Sequence, residues 1–196
     1  MAVFSCQSLV DWRNTMNLQS TDFELFDVPQ RFAQDLSVLQ LRWKALQREA
    51  HPDRFAAHGA AAQRLAMQWS VRINEAWQRL RDPLRRAAYL CELNGAPVDK
   101  HGNTKMPPEF LMRQMAWHEQ LDDAVSVADC DALAQELAAV RDELLQRCGQ
   151  LLDEAGDYAG AAEQVRALMF MERLLETVAD KREACPVAGG LSSEGQ

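Results

Sequence analysis

The residues best placed to do chemistry are three in a row, His51, Pro52 and Asp53. Proline has no N–H and restricts the residue before it, so a helix arriving at His51 has to stop there. The imidazole and the carboxylate then project from a short exposed loop. A ring donor beside a carboxylate can recognise an arginine-bearing, acidic-edged partner by charge-assisted hydrogen bonds. Acid–base catalysis fits less well, since the sequence shows no cleft and no third group to orient the pair. Just upstream, Lys44 and Arg48 lie four residues apart with Arg42 on their flank, a basic exposed strip. On spacing alone that strip reads as an ordinary solvated face.

A second set of residues is apolar. In the segment after Pro108, Phe110, Trp117, Leu121 and Ala124 can face inward as one stripe. Leu111, Met112 and Met115 are then left on a neighbouring face, which continues into Glu119 and Asp123. Far along the chain, Phe170 falls off the stripe of Val165, Leu168 and Leu175, between the polar positions Glu163, Arg173 and Thr177. Two readings stand side by side here. Methionines fill core gaps well, so these residues are extra packing; or they form an exposed patch, which marks a binding surface.

The elements that position these residues are helical throughout. Asp35 is a good N-cap for a helix over Leu36–Ala50, with Leu36, Leu39, Trp43, Leu46 and Ala50 as its apolar stripe. A second helix is expected over Ala60–Arg81, with Ala62, Ala66, Trp69, Ile73, Ala76 and Leu80 inward and an end set by Asp82-Pro83. A short helix over Leu84–Asn94 follows, with Gly95 as its C′ residue. Three long patterns then cover Glu109–Val127, Asp131–Glu154 and Ala159–Arg182, the last capped by Asp157. Period-2 alternation is absent, so the class is all-α.

Apolar residues are 47% and charged residues 26%, with 9 Gly and 7 Pro, a core-forming composition rather than a disordered one. No apolar run approaches the roughly 18–20 residues of a membrane span. The first residues have neither a basic n-region nor an apolar h-region, so they do not read as a secretory signal. Cys6, Cys91, Cys130, Cys148 and Cys185 form no CxxC, and the count is odd, which points to a reducing compartment. His51, His58, His101 and His118 make no HExxH and no finger spacing, so no metal is expected. Net charge is −8, which argues against broad phosphate binding. The charge is uneven: residues 21–94 carry +2 and residues 95–196 carry −10, as expected of two units with different partners. The expected organisation is an extension over residues 1–20 that is flexible, a helical unit over 21–94, a linker over 95–106, a helical bundle over 107–183 and a flexible tail over 184–196.

The segment Asp22-Phe23-Glu24-Leu25-Phe26, the run His51-Pro52-Asp53-Arg54-Phe55, Ile73-Asn74-Glu75-Ala76-Trp77 and Asp82-Pro83-Leu84-Arg85-Arg86-Ala87-Ala88-Tyr89-Leu90 together resemble a J-domain. Phe110-Leu111-Met112 and Val165-Arg166-Ala167-Leu168-Met169-Phe170 extend the resemblance, over about Asp22 to Arg182, to the HscB/Jac-type co-chaperones of iron–sulfur cluster assembly. The resemblance implies an all-α fold, an N-terminal J-domain (a helical hairpin with an HPD loop) followed by a C-terminal three-helix bundle.

In that family the residues matching His51, Pro52 and Asp53 touch the nucleotide-binding domain of a DnaK-family chaperone and its linker and promote ATP hydrolysis there. The resemblance implies that Arg42, Lys44 and Arg48 supply the basic docking surface. Arg54 stands where many J-proteins carry lysine, which keeps the charge but not the donor geometry. It also implies that Leu111, Met112, Met115, Glu119, Asp123 and Phe170 form the face that binds an IscU-like scaffold protein. Ala116 departs from the pattern, since the family often has an acidic residue there. The chain is then a regulator of a partner ATPase rather than an enzyme, with an HscA-like chaperone and an IscU-like scaffold as partners. No cofactor of its own, no nucleic acid and no membrane are expected, and a bacterial cytoplasm fits better than the mitochondrial matrix. The alternative is a J-domain co-chaperone with a different client. A helical nucleic-acid-binding protein built on the basic strip is opposed by the acidic second half.

Overall fold

Capping chemistry starts the first ordered element. The Thr21 hydroxyl accepts from the Glu24 N–H at 3.2 Å and the Glu24 carboxylate accepts from the Thr21 N–H at 2.8 Å, a reciprocal box that nucleates α1, Asp22–Leu25. The structure, a computed structural model, describes residues 19–98 and 106–185, with Ala56 and His58 described by backbone alone. Most of the expected N-terminal extension, linker and C-terminal tail lies outside the described residues, as do Cys6 and His101.

The remaining helices are α2 (Leu36–Glu49), a 3-10 helix over Pro52–His58, α3 (Ala60–Arg81), α4 (Pro83–Leu93), α5 (Pro108–Asp123), α6 (Val127–Gly149) with a π-helical extension over Gln150–Ala155, and α7 (Tyr158–Ala184). No strand occurs among the described residues, and the fold is all-α. The chain divides into two compact units between Leu90 and Cys91, within α4.

In the first unit α2 and α3 form a hairpin around Leu39, Leu46, Ala66, Ile73, Ala76 and Leu80, all buried. Phe23 and Leu25 of α1 and Phe26, its C-cap, add to this core, and Phe23 stacks on Tyr89 with ring centroids 5.8 Å apart. Asp22 is fully buried and charged, and it is compensated. Arg72 and Arg79 reach its two carboxylate oxygens at 2.6 and 3.1 Å, and its N–H donates to the Tyr89 hydroxyl at 3.0 Å. A buried charge without such partners would be strongly destabilising.

In the second unit the connection between the π-helical extension and α7 is only Gly156-Asp157, so the two long helices run antiparallel. Gly156 sits at φ +65°, the left-handed region that glycine enters without strain. The core of this three-helix bundle is Trp117, Leu121 and Ala124 of the first helix and its end, Cys130, Leu133, Leu137 and Val140 of α6, and Met171, Leu174 and Val178 of α7.

Several boundaries differ from the sequence reading, each for a local reason. The helix expected to reach Val127 stops at Asp123, because Ala124 takes extended backbone. Ser126 then opens α6 four residues earlier than expected. Its hydroxyl accepts from the Asp129 N–H at 3.2 Å, while the Asp129 carboxylate takes the Ser126 N–H at 2.9 Å. Leu36, expected in the core stripe, is 53% exposed because it is the first helical residue and stands at the end of the rod.

Candidate functional site

The bend after α2 is built by its own backbone. Ala50 closes the helix, its N–H donating to the Leu46 carbonyl at 2.9 Å, and its own carbonyl accepts from the Ser70 hydroxyl of α3 at 3.1 Å. That bond satisfies a carbonyl the helix end would leave unpaired. His51 is the N-cap of the 3-10 helix that follows, with Pro52 at its first position. The imidazole Nδ1 accepts from the Asp53 N–H at 3.3 Å, and the His51 carbonyl accepts from the Arg54 N–H at 3.1 Å. The expected loop is therefore a capped turn of 3-10 helix.

This turn faces solvent. The His51 side chain is 57% exposed and Asp53 is 91% exposed, with Nδ1 and the carboxylate 3.6 Å apart. Pro52 is half-buried and Arg54 exposed, its guanidinium 3.4 Å from the Arg48 carbonyl. With Nδ1 occupied by the backbone, Nε2 is left as the second hydrogen-bonding atom of a largely exposed ring. Such a constellation can bind.

The hairpin beneath the turn is braced by side chains. Trp43 stacks on Trp77 with centroids 5.4 Å apart. The Asn74 amide oxygen accepts both from Trp43 Nε1 at 3.0 Å and from Gln47 Nε2 at 2.7 Å. These bonds fix the rotation of α2, and with it the direction of its basic strip. Lys44 and Arg48 are exposed on that strip. Arg42 differs: it is largely covered and its guanidinium contacts the Asp27 carboxylate at 2.8 Å. Asp27 reaches it from the turn after α1, where it holds φ +50°.

The second candidate surface lies on α5. Leu111, Met112 and Met115 are 45%, 72% and 73% exposed, while Trp117 and Leu121 of the same helix are buried. Glu119 and Asp123 continue the exposed face toward the end of the helix. Phe170 on α7 is half-buried and packs on the core, which combines the two readings left open by the sequence. Its ring meets Phe110 and His118 edge-on, with centroids 6.0 and 5.8 Å away. His118 was missed by sequence reasoning. Its spacing of three from Met115 and seven from Leu111 was the available signal, because those steps keep a residue on one helical face.

Among the described residues no group of three or more His, Cys, Asp or Glu is placed to hold a metal ion. Among them, too, no helix is long and apolar enough to cross a membrane.

Known proteins resemble this chain in sequence and in fold. A family model described as the HSCB C-terminal oligomerisation domain matches residues 106–179. The co-chaperone protein HscB homolog of Burkholderia mallei (strain SAVP1) is 50% identical over 162 residues, spanning 81% of this chain and 92% of its own length. The solved chaperone HscB from Vibrio cholerae is 33% identical, with a TM-score of 0.72 over 84% of this chain and 99% of that one. Human co-chaperone protein HscB is 26% identical, with a TM-score of 0.81 over 85% and 84%.

Proposed function

The chain belongs to the HscB family of co-chaperones, and from that premise we propose that it is a two-ended adaptor between a DnaK-family chaperone and an iron–sulfur scaffold protein. The N-terminal unit, residues 21–94, is its J-domain. His51, Pro52, Asp53 and Arg54 engage an HscA-like chaperone and stimulate its ATPase, with Lys44, Arg48 and Arg42 docking on an acidic surface of that partner. The C-terminal bundle, residues 107–183, presents Leu111, Met112, Met115, Glu119, Asp123 and Phe170 to an IscU-like scaffold. Residues 95–106 link the two, and the site of action is a bacterial cytoplasm.

The observation that carries this reading is an exposed histidine–carboxylate turn held on a braced helical hairpin, in a chain that also leaves two methionines and a leucine uncovered on one rigid helix. A polar-rimmed apolar patch on a rigid helix is a good docking surface. The chemistry belongs to the chaperone. The adaptor speeds it by binding one conformational state of the chaperone more tightly than the other. Holding scaffold and chaperone together raises the effective concentration of each for the other.

The test is steady-state ATP hydrolysis by the chaperone with wild type and with His51→Gln. Wild type stimulates turnover, and His51→Gln leaves it near the basal rate while scaffold binding survives. Equal stimulation by both proteins removes the turn from the mechanism. A second reading keeps the J-domain and gives the exposed face of α5 a different client. Absence of scaffold binding by the full chain, with ATPase stimulation intact, selects that reading.

A further inference from the structure

One end of the C-terminal bundle holds two thiols that the adaptor function does not use. Cys130 lies in the early turns of α6 with 0% of its surface exposed, and Cys185, which caps α7, is half-buried against the same core. Both are free thiols. The helix ends are registered there by charge. Arg182 Nε contacts the Asp131 carboxylate at 2.6 Å, and the Lys181 ammonium donates to the carbonyls of Leu121 and Asp122 at the end of α5.

Asp131 directly follows Cys130, and Arg182 stands one turn before Cys185. The clamp that pairs the two charges therefore holds the end of α7, and Cys185 with it, beside the start of α6 and the core cluster that contains Cys130. Cys185 packs against the buried cluster that contains Cys130, and burial first, with the neighbouring Cys185 thiol second, holds the Cys130 thiol above its ordinary range. Cys148 and Cys91 contrast with them. Both are fully buried, and burial pushes their thiols up to about 12 and about 11. Among the described cysteines, Cys185 alone has solvent access.

We propose that Cys130 and Cys185 are a redox-active thiol pair that closes to a disulfide with a hydroperoxide as oxidant, stapling the end of α7 to the start of α6. The accessible Cys185 thiolate attacks the peroxide O–O bond. Its sulfur is oxidised to a sulfenic acid, and the departing hydroxide takes up the thiol proton as water. Cys130 then attacks the sulfenic sulfur. The S–S bond forms, the S–O bond breaks, and the second hydroxide leaves as water with the Cys130 proton. Two thiols and one hydrogen peroxide give one disulfide and two waters. Reactivity follows access, which assigns attack to Cys185 and resolution to the buried partner.

The experiment oxidises the reduced full-length chain with graded hydrogen peroxide, denatures and alkylates it, and maps peptides without reduction. Of the five cysteines in the chain, three are expected to remain alkylatable, with Cys130 and Cys185 recovered as one linked peptide. Cys130→Ala is expected to stop at a sulfenic acid on Cys185, trapped by dimedone, and Cys185→Ser to leave Cys130 reduced. Far-UV circular dichroism and thermal melting establish that both variants fold; the wild-type map stands whether or not they do. Retention of all five thiols under peroxide that oxidises a free cysteine peptide overturns the proposal. So does a linkage of Cys185 to any other cysteine or to a second chain.

Discussion

Met115→Ala separates the two uses a helix has for an apolar side chain. Met115 is 73% exposed, so about a quarter of its surface is already covered by its own chain and about three quarters remains for a partner. Full burial of a methionine side chain contributes about 2 kcal/mol. Folding therefore draws roughly 0.5 kcal/mol from this residue and scaffold binding roughly 1.5 kcal/mol. The second figure is about a tenfold change in Kd. The assay is a pair of measurements on one preparation: scaffold affinity by isothermal titration calorimetry, and unfolding in urea. Met115→Ala is expected to weaken affinity about tenfold and to leave the urea midpoint almost unchanged. Leu137→Ala is the counterpart, because Leu137 is fully buried in the same bundle. There the loss is about 2–5 kcal/mol of folding stability. Unchanged scaffold affinity for a folded Met115→Ala refutes the assignment of the face. A stability loss above about 2 kcal/mol refutes the exposure on which the reasoning rests.

Three further outcomes follow from the same structure. Ser70→Ala removes the hydroxyl that holds the Ala50 carbonyl; it is expected to lower stability by about 1 kcal/mol in urea unfolding and to reduce chaperone stimulation, because the turn at His51 loses its support from α3. Asp22→Ala leaves Arg72 and Arg79 facing a site with no counter-charge; it is expected to cost about 3 kcal/mol by thermal or urea unfolding, the low end for a broken buried pair since Arg79 is partly exposed. The Asp129 carboxyl is held below its ordinary value by the Ser126 hydroxyl first and then by the Val125 and Ser126 N–H groups. A lowered folded-state value contributes stability above the ordinary aspartate range, lost as pH falls through the folded value. Ser126→Ala is expected to move the Asp129 titration back up by NMR, and no movement removes the hydroxyl as its main cause.

Much of the site was legible because its signals are local. Pro52 dictates that α2 stop before it, whatever the rest of the chain does. Asp35 and Asp157 accept from the N–H groups that open α2 and α7, as their positions before apolar periodic runs indicate. The break between α5 and α6 was expected at residues 128–130 and falls at 124–126, although its signal too is local: Ser126 and Asp129 have the spacing of a capping box, with Asp in place of the usual Glu or Gln. The 3-10 form of the His51 turn was not legible, since it rests on a weak set of i→i+3 bonds that many sequences can make.

The sequence by itself determined the helical class, the caps at Asp35 and Asp157 and the stop at His51, because each follows from backbone chemistry within a few residues. Only the tertiary structure decided which candidates share a surface. Arg42 is turned toward Asp27 while Lys44 and Arg48 stay open, although all three look alike in a one-dimensional pattern. Phe170 meets Phe110 and His118 across more than fifty residues of chain, and Cys185 packs against the core cluster that contains Cys130 in the same way. Such meetings depend on how two helices are rotated and registered against each other. That rotation is set by the summed packing of a whole core, which no short window of sequence contains.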